Sequence, residues 1–548
     1  MRSPAPTPAE ARIDLHLHSR ASTDTGSWFL NRAYMPESYT EPEAAYATAK
    51  ERGMDLVALT DHNTISGALE IAHHPDVVIG VEVTAAFPED RVPLHVLVWG
   101  LDEADWAEID RLRGNLYEMC DLLAAADLPH ALAHPLHRVG ADLTADHLER
   151  CLLLFRIWEG RNGARPAATN QAATRLARSS SADLLVRLAE KHGIAPRTSG
   201  PPALTGGSDD HSGFDIARAW TVTPPARDPG ELLGHLRMGR VRPAGHDGTG
   251  MGLAHSVGSL AAKAWLERGT VAIPDGLRGI ATELLGHAPA AAPGDAGGPA
   301  GAMAEEVLAR LRADRRLVRR YRRLGRGGED RGARHHARLR LATGWLHDEL
   351  VRRAVERPLM RARGLGARAE SLAGAGVLAL PYLMAAGYAR AEERVAAARE
   401  RVVLGPSQGD PGPARVLLLT HTFNETNGVA GTMRRLADHA DARPGCGLRV
   451  VTCGAGGRAR AGHLDLRALT DVPLPVYGDA SWRLGVPSVI ELLEAVEASR
   501  AEVIHAATPG PLGLSGLLVA RTLGIPFVAS HHTELARYVL ELTGDRLA

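Results

Sequence analysis

Short apolar runs that end on a histidine or a carboxylate recur through the first 211 residues, and they restrict the fold more than any other feature. Ile13-Asp14-Leu15-His16-Leu17-His18-Ser19 alternates polar and apolar residues, which predicts a strand over 13–18. A strand places residues i and i+2 on one face, so His16 and His18 point the same way, about 6–7 Å apart. MDLVAL at 54–59 is a buried strand that runs into Thr60-Asp61-His62. VVIGVEV at 77–83 carries Glu82, LHVLVW at 94–99 carries His95, and HALAHP at 130–135 carries His134. LLFRIWEG at 153–160 ends near Glu159, and ALTGGSDDH at 203–211 ends on Asp209 and His211. Helical patterns lie between them: 41–52, with Thr40 as N-cap and Gly53 as stop, and 103–126, with Trp106, Ile109, Leu112, Leu116 and Met119 at helical spacing. Strands alternating with helices imply a parallel sheet, and so many short units favour a barrel with its chemistry at the strand C-termini.

Nine side chains then stand out as metal ligands: His16, His18, Asp24, His62, Glu82, His95, His134, Asp209 and His211. Imidazoles and carboxylates in this number point to metal-assisted hydrolysis. Asp14 and Asp61, each close before a ligand histidine, are expected to orient the imidazoles. Glu82 sits in the apolar VEV, where an unpaired carboxylate is costly and a cation removes the cost. His130, His137 and His192 read as structural histidines. Glu159, Arg161 and Asn162 of WEGRN read equally as phosphate contacts or as a structural turn, and Trp28 and Phe29 as pocket lining or core.

The remaining sequence is organised differently. Residues 1–12 read as a disordered tail without the apolar core of a signal peptide. Residues 13–245 form the first domain, and 246–403 an arginine-rich helical connector with a linker near 286–302. Residues 404–414 are a second linker, and 415–548 read as a doubly wound, Rossmann-like domain. The uncharged stretch 371–389 is long enough to span a membrane, but its Ala, Gly and Pro381 favour a buried or interfacial helix. A net charge of −1 gives no argument for nucleic acid, and four cysteines without CxxC spacing give none for a disulfide framework or thiolate zinc. A cytoplasmic location is expected, with a peripheral membrane position left open.

The motifs DLHLHS, TDHNT, VEVT, AHP and GGSDDHSG, with Asp24 and His95, resemble those of the polymerase and histidinol phosphatase (PHP) family over residues 11–225. The resemblance implies an α/β fold, a distorted (β/α)7 barrel, with two or three divalent cations (zinc, manganese or iron) held by the nine residues above. It implies hydrolysis of a phosphate ester by a metal-bound hydroxide, on a phosphorylated small molecule, glycan or lipid. Residues 415–548 resemble the N-terminal half of a family-four, two-Rossmann-domain glycosyltransferase, on RVLLLTHTFNETNGVAGT and IHAATPGPLGLSGLLVARTLGIPFVASHHTELARY. There Gly428 and Val429 at a helix start would approach the diphosphate of a nucleotide-sugar, and His532 would face the interdomain cleft. The family's donor-binding half does not follow. The expectation is therefore a truncated chain, a separate chain that supplies the donor domain, or a binding module, with no glycosyl transfer by this chain alone. The alternative to a phosphoesterase is a transferase with the first domain regulatory.

Overall fold

The computed structural model describes residues 10–22, 37–140, 143–267, 309–310, 313–324, 331–356, 362–405, 413–443, 445–454, 462–473, 483–508, 510–530 and 532. Asp24, Trp28, Phe29, the linker 286–302 and most of 404–414 lie outside these residues, as does most of the N-terminal tail. The chain divides into two compact units, Met1–Arg338 with Ala391–Ser407, and Leu339–Arg390 with Gln408–Ala548.

The first unit is built on nine strands: β1 (Ala11–Asp14), β2 (Leu56–Leu59), β3 (Val77–Ala86), β4 (Pro93–Trp99), β5 (His130–Leu132), β6 (Ile157–Asn162), β7 (Ala203–Gly207), β8 (Ala219–Thr223) and β9 (Arg242–Gly245). They form one sheet in the order β7-β6-β5-β4-β3-β2-β1-β8-β9. Its far edge folds back on the start. The Asp209 N–H donates to His16 O at 2.7 Å, and the Gly206 N–H to Thr221 Oγ1 at 2.8 Å. The result is a nearly closed barrel.

The expectation of a parallel, seven-stranded sheet needs correction. The pairs β3–β4 and β4–β5 are antiparallel, as are β1–β8 and β8–β9. The cause at β4 is the connection TAAFPEDRVP, which holds no helical pattern. It closes as a hairpin instead, with Phe87 N–H to Val92 O at 3.1 Å and Arg91 in the left-handed region. Seven strands thus run one way, and only β4 and β8 oppose them. Strands β8 and β9 were not read from sequence.

Other boundaries shift for local reasons. The strand at 13–18 ends at Asp14, and Leu17 adds a single bridge to Asp210. Ala11 and Arg12 belong to that strand rather than to a tail. Thr40 does not cap the first helix, Pro42–Glu51, which starts on Glu41 and proline at its first turn. Gly53 follows its end at φ 83°, as a stop signal should. The stretch 103–126 is two helices, Glu103–Leu112 and Leu116–Ala125, because Asn115 caps the second through the Tyr117 and Glu118 N–H groups. Leu153 and Leu154 end the helix Ala145–Leu154 rather than beginning β6.

Both faces of the sheet are buried. Leu56 and Ala58 of β2 pack with Ile13, Trp99, Leu232 and Leu236, whereas Val57 and Leu59 pack with Leu17, Ala45 and Ala49. The buried Trp99 Nε1–H donates to Leu15 O at 3.0 Å and ties β4 to β1.

In the second unit β10 (Val416–Leu419), β11 (Leu448–Cys453), β12 (His463–Leu466), β15 (Val503–Ala506) and β16 (Phe527–Ala529) form a parallel sheet, order β12-β11-β10-β15-β16. Strands β13 (Thr470–Pro473) and β14 (Arg483–Val486) pair separately. This is the doubly wound pattern expected from the sequence.

The helical connector is not a separate body. Its helices Arg331–Glu356 and Ala362–Leu404 divide between the two units. Arg399 donates to Leu136 O in the first unit, and Arg352 to Leu469 O in the second. The window within Arg368–Leu404 is long and apolar enough to cross a membrane and is only 28% buried. It exposes Leu372, Val377, Leu380, Met384 and Tyr388 along one face.

The end of β7 passes so close to the first histidine that a Cβ on Gly207 would sit 2.3 Å from His16 Cβ and 2.6 Å from its backbone N. Gly207→Ala should therefore destabilise the first unit by about 2–4 kcal/mol, read as a lowered urea midpoint. An unchanged midpoint would contradict the closure described.

Candidate metal centre

Because seven strands share one direction, their C-terminal ends meet at one mouth of the barrel. His16 and His18 follow β1, His62 follows β2, His134 follows β5, and Asp209 and His211 follow β7. The reversed β4 contributes from its start, with His95 paired to Thr84 of β3. All eight described candidates converge. Asp24 is outside the described residues.

Glu82 is the centre of the group and is fully buried. Its Oε2 lies 2.9 Å from His16 Nε2, 3.1 Å from His18 Nε2 and 3.3 Å from His62 Nδ1. Its Oε1 lies 2.8 Å from His95 Nδ1 and 2.9 Å from His134 Nε2. Asp209 Oδ1 adds contacts of 3.5 Å to His16 Nε2 and 3.4 Å to His18 Nε2. Despite this crowding, His18 Nε2, His62 Nδ1, His95 Nδ1, His134 Nδ1 and His211 Nε2 are buried without a hydrogen bond. So many orphaned nitrogens in one place would be costly in a closed protein interior. They are the donors a divalent cation satisfies, so the residues present fit one.

Three overlapping sets have ligand atoms within 4.8 Å of one another: His16, His18, Glu82 and Asp209; His62, Glu82 and His95; and His18, His62 and His211. One ring nitrogen serves one cation. His18 has only Nε2 to offer, since its Nδ1 bonds to Ser22 Oγ at 2.9 Å. A carboxylate can bridge two cations, which suits Glu82.

Protons substitute for cations in the electrostatics. Burial opposes charge on His18, but Asp209 and Glu82 outweigh it and lift its pKa to about 10. His16 is likewise raised, by Glu82, Asp209 and Glu159 against burial. Burial alone would raise Glu82 and Asp209, yet the imidazoles around them, His16 foremost, hold both well below the usual carboxylate range. Burial carries His62 down to about 3.

The supporting shell differs from expectation in three respects. Asp14 and Asp61 do not touch the imidazoles in front of them. Asp14 accepts the Ser208 and Ala217 N–H groups at 2.8 Å, and Asp61 accepts the Ser19 N–H at 2.6 Å, so they shape the loops that carry the ligands. Glu159 is the carboxylate that orients an imidazole. Its Oε1 meets His16 Nδ1 at 2.9 Å, and its Oε2 accepts the His134 N–H at 2.7 Å and the Asn162 amide at 2.9 Å. It is committed to that role and is not free to reach phosphate. Arg161 points away, donating to Gly245 O and lying 3.5 Å from Asp247.

Two residues escaped the sequence reading. Glu37 places its carboxylate 3.6 Å from both His62 Nε2 and His211 Nε2. Arg165 donates to Asp209 Oδ2 at 3.3 Å. Neither sits in an apolar run or beside another candidate, so only the fold reveals them. His134 and Asp209 adopt φ of 26° and 51°, a strained backbone for these residue types.

In the second unit Asn427 caps the helix Gly428–Asp441 by accepting the Ala430 N–H at 2.8 Å. Gly428 is the first helical residue and has open space where a Cβ would stand. Val429 instead packs toward Leu418 and Phe423, and His532 is exposed. His421, not singled out from sequence, is buried beside the helix Pro511–Leu523, and its Nε2 accepts the Leu512 N–H at 3.2 Å.

The family model described as Glycosyltransferase Family 4 matches residues 426–547, so the C-terminal part of the chain carries a domain of that family. An uncharacterized protein of Methanocaldococcus jannaschii is 39% identical over 77 residues, 13% of this chain and 43% of its own length. The chain thus spans less than half of that relative.

Since His18 is protonated below about pH 10 without a cation, metal loading at pH 7.5 should release about one to two protons per site. Calorimetry in buffers of different ionisation enthalpy measures this. Loading without proton release would contradict the charge distribution described.

Proposed function

We propose that the first unit is a multinuclear, metal-dependent phosphoesterase of the PHP type, in a chain that also carries a glycosyltransferase domain. The observation that carries this reading is Glu82, a buried carboxylate ringed by five imidazole nitrogens at 2.8–3.3 Å, three of them without hydrogen bonds. His16, His18, His62, His95, His134, Asp209 and His211 would hold two or three divalent cations with it, and Glu37 stands where a further ligand is useful. When bound, such cations supply Lewis acidity toward phosphate oxygens and water.

The protein's own residues do the rest. Glu159 fixes the ring of His16 and the backbone of His134 together, so two ligands share one orienting group. Asn162 joins that group to Asp209 by a 3.0 Å bond. Arg165 is the cationic side chain beside Asp209, 15% exposed, and takes the place proposed from sequence for Arg161. The substrate class follows from the charge: an anionic phosphate ester, drawn to cations and a guanidinium.

The second reading is glycosyl transfer, favoured by the match over 426–547. Gly428 at an open helix N-terminus suits the diphosphate of a nucleotide-sugar.

The full chain loaded with manganese or zinc should hydrolyse a generic phosphate ester. The double variant Asp209→Ala/His211→Ala should abolish the activity. Glu159→Gln should lower it about 10–100-fold. Hydrolysis that persists in the double variant would place the reaction elsewhere.

A further inference from the structure

The helix Arg315–Leu324 has two unlike faces. Asp314 opens it by accepting the Arg316 N–H at 3.0 Å and the Leu317 N–H at 2.9 Å. Leu317, Val318, Tyr321 and Leu324 recur at helical spacing and are half-buried. Arg315, Arg316, Arg319, Arg320, Arg322 and Arg323 cover the other side, and all six are exposed. Among the described residues none of the six meets a carboxylate. Like charges at this density repel one another, so the helix is most stable against a surface of opposite charge. Its one aromatic ring, Tyr321, lies beneath the Arg338 guanidinium at 4.8 Å and offers no free platform on which a nucleic-acid base could stack.

The helix Ala362–Leu404 supplies an independent observation. From Ser371 to Ala389 no side chain is charged. Ala375, Ala379, Tyr382 and Ala386 are buried against the protein, so lipid cannot surround the helix and it does not span a bilayer. Leu372, Val377, Leu380, Met384 and Tyr388 face outward, between 46% and 68% exposed, over about 24 Å of helix. A protein interface of that length needs several hydrogen-bonding groups. The hydroxyl of Tyr388, at one end, is the one polar side-chain group among these five, a placement that suits the boundary between water and lipid. Nucleic acid has no use for such a stripe. An apolar face held flat and a polybasic face are the two signals that together give stable attachment to a membrane surface.

We propose that the helical region docks this chain onto a bilayer that contains anionic lipid. The arginine face of Arg315–Leu324 meets the headgroup phosphates, and the uncharged face of Ala362–Leu404 enters the boundary with the acyl chains. Each face is open to solvent within its own unit, so each contributes to binding separately. The attachment does not depend on the chemistry of the metal centre.

Sedimentation of the full chain with vesicles tests it. Vesicles of phosphatidylcholine with about 30% phosphatidylglycerol should bind the native protein at about 0.1 M salt at least about 100-fold more tightly than pure phosphatidylcholine. Arg316→Gln/Arg319→Gln/Arg320→Gln/Arg323→Gln should remove that preference, since each arginine is worth about fivefold. At about 1 M salt the native protein should keep a weaker, charge-independent binding. Val377→Ser/Leu380→Ser/Met384→Ser should lower this residue of binding about tenfold or more. The comparison of the two lipid compositions uses the native protein alone, so a variant that fails to fold leaves the test decisive. Equal binding to both compositions, or no binding to either, overturns the proposal. So does tighter binding to a DNA duplex of about 20 base pairs that the arginine variant loses, which would make the partner a nucleic acid. A lipid-free dimer that the serine variant dissolves would assign the stripe to a second copy of the chain and also overturn it.

Discussion

The buried carboxylate of Glu82 is the constraint on which the first unit depends. A fully buried negative charge in a sheet is tolerated only if opposite charge surrounds it. Here β3 places it where β1, β2, β4 and β5 deliver five histidines, and β7 delivers Asp209. Protons on His16 and His18 give one way to balance the charge, and cations give another. Several of the histidine nitrogens have no hydrogen bond. A cation placed among them would accept their lone pairs, which is the basis of the metal-centre proposal.

The rest of the barrel can be read as support for that point. Reversing β4 lets a strand contribute His95 from its beginning while its neighbours contribute from their ends. Gly207 allows the sheet to close against His16, and the strained backbones of His134 and Asp209 aim both side chains inward. Glu159 locks two of the ligands together. The helical region then adds Glu392, which is bonded to His137 and Arg165 and ties a segment distant in sequence to the loops beside the cluster.

Much of this was legible in the residues. A histidine pair two apart, TDH and GGSDDH announce strand ends that carry imidazoles and carboxylates, and VEV announces a buried carboxylate inside a strand, because strand alternation and polar interruptions of apolar runs are local signals. The Rossmann-like pattern of the C-terminal part was equally local, and the family match over 426–547 agrees with it. What was not legible is non-local. Arg161 and Arg165 are four residues apart, and only the path after β6 decides which one faces Asp209. Glu37 and Glu392 lie in segments without motif character. Glu159 read equally as a phosphate contact or as part of a structural turn, because its partners come from two other loops. The split of 103–126 into two helices turned on the single cap at Asn115.

The most direct test is the metal content of the purified full chain, measured by mass spectrometry after loading and desalting, for the native protein and for Glu82→Gln. The account predicts about two or three divalent ions per chain for the native protein and a loss of most of them when the Glu82 carboxylate becomes an amide. A native protein that retains no metal, or a Glu82→Gln protein that retains all of it, would contradict the central role given to Glu82.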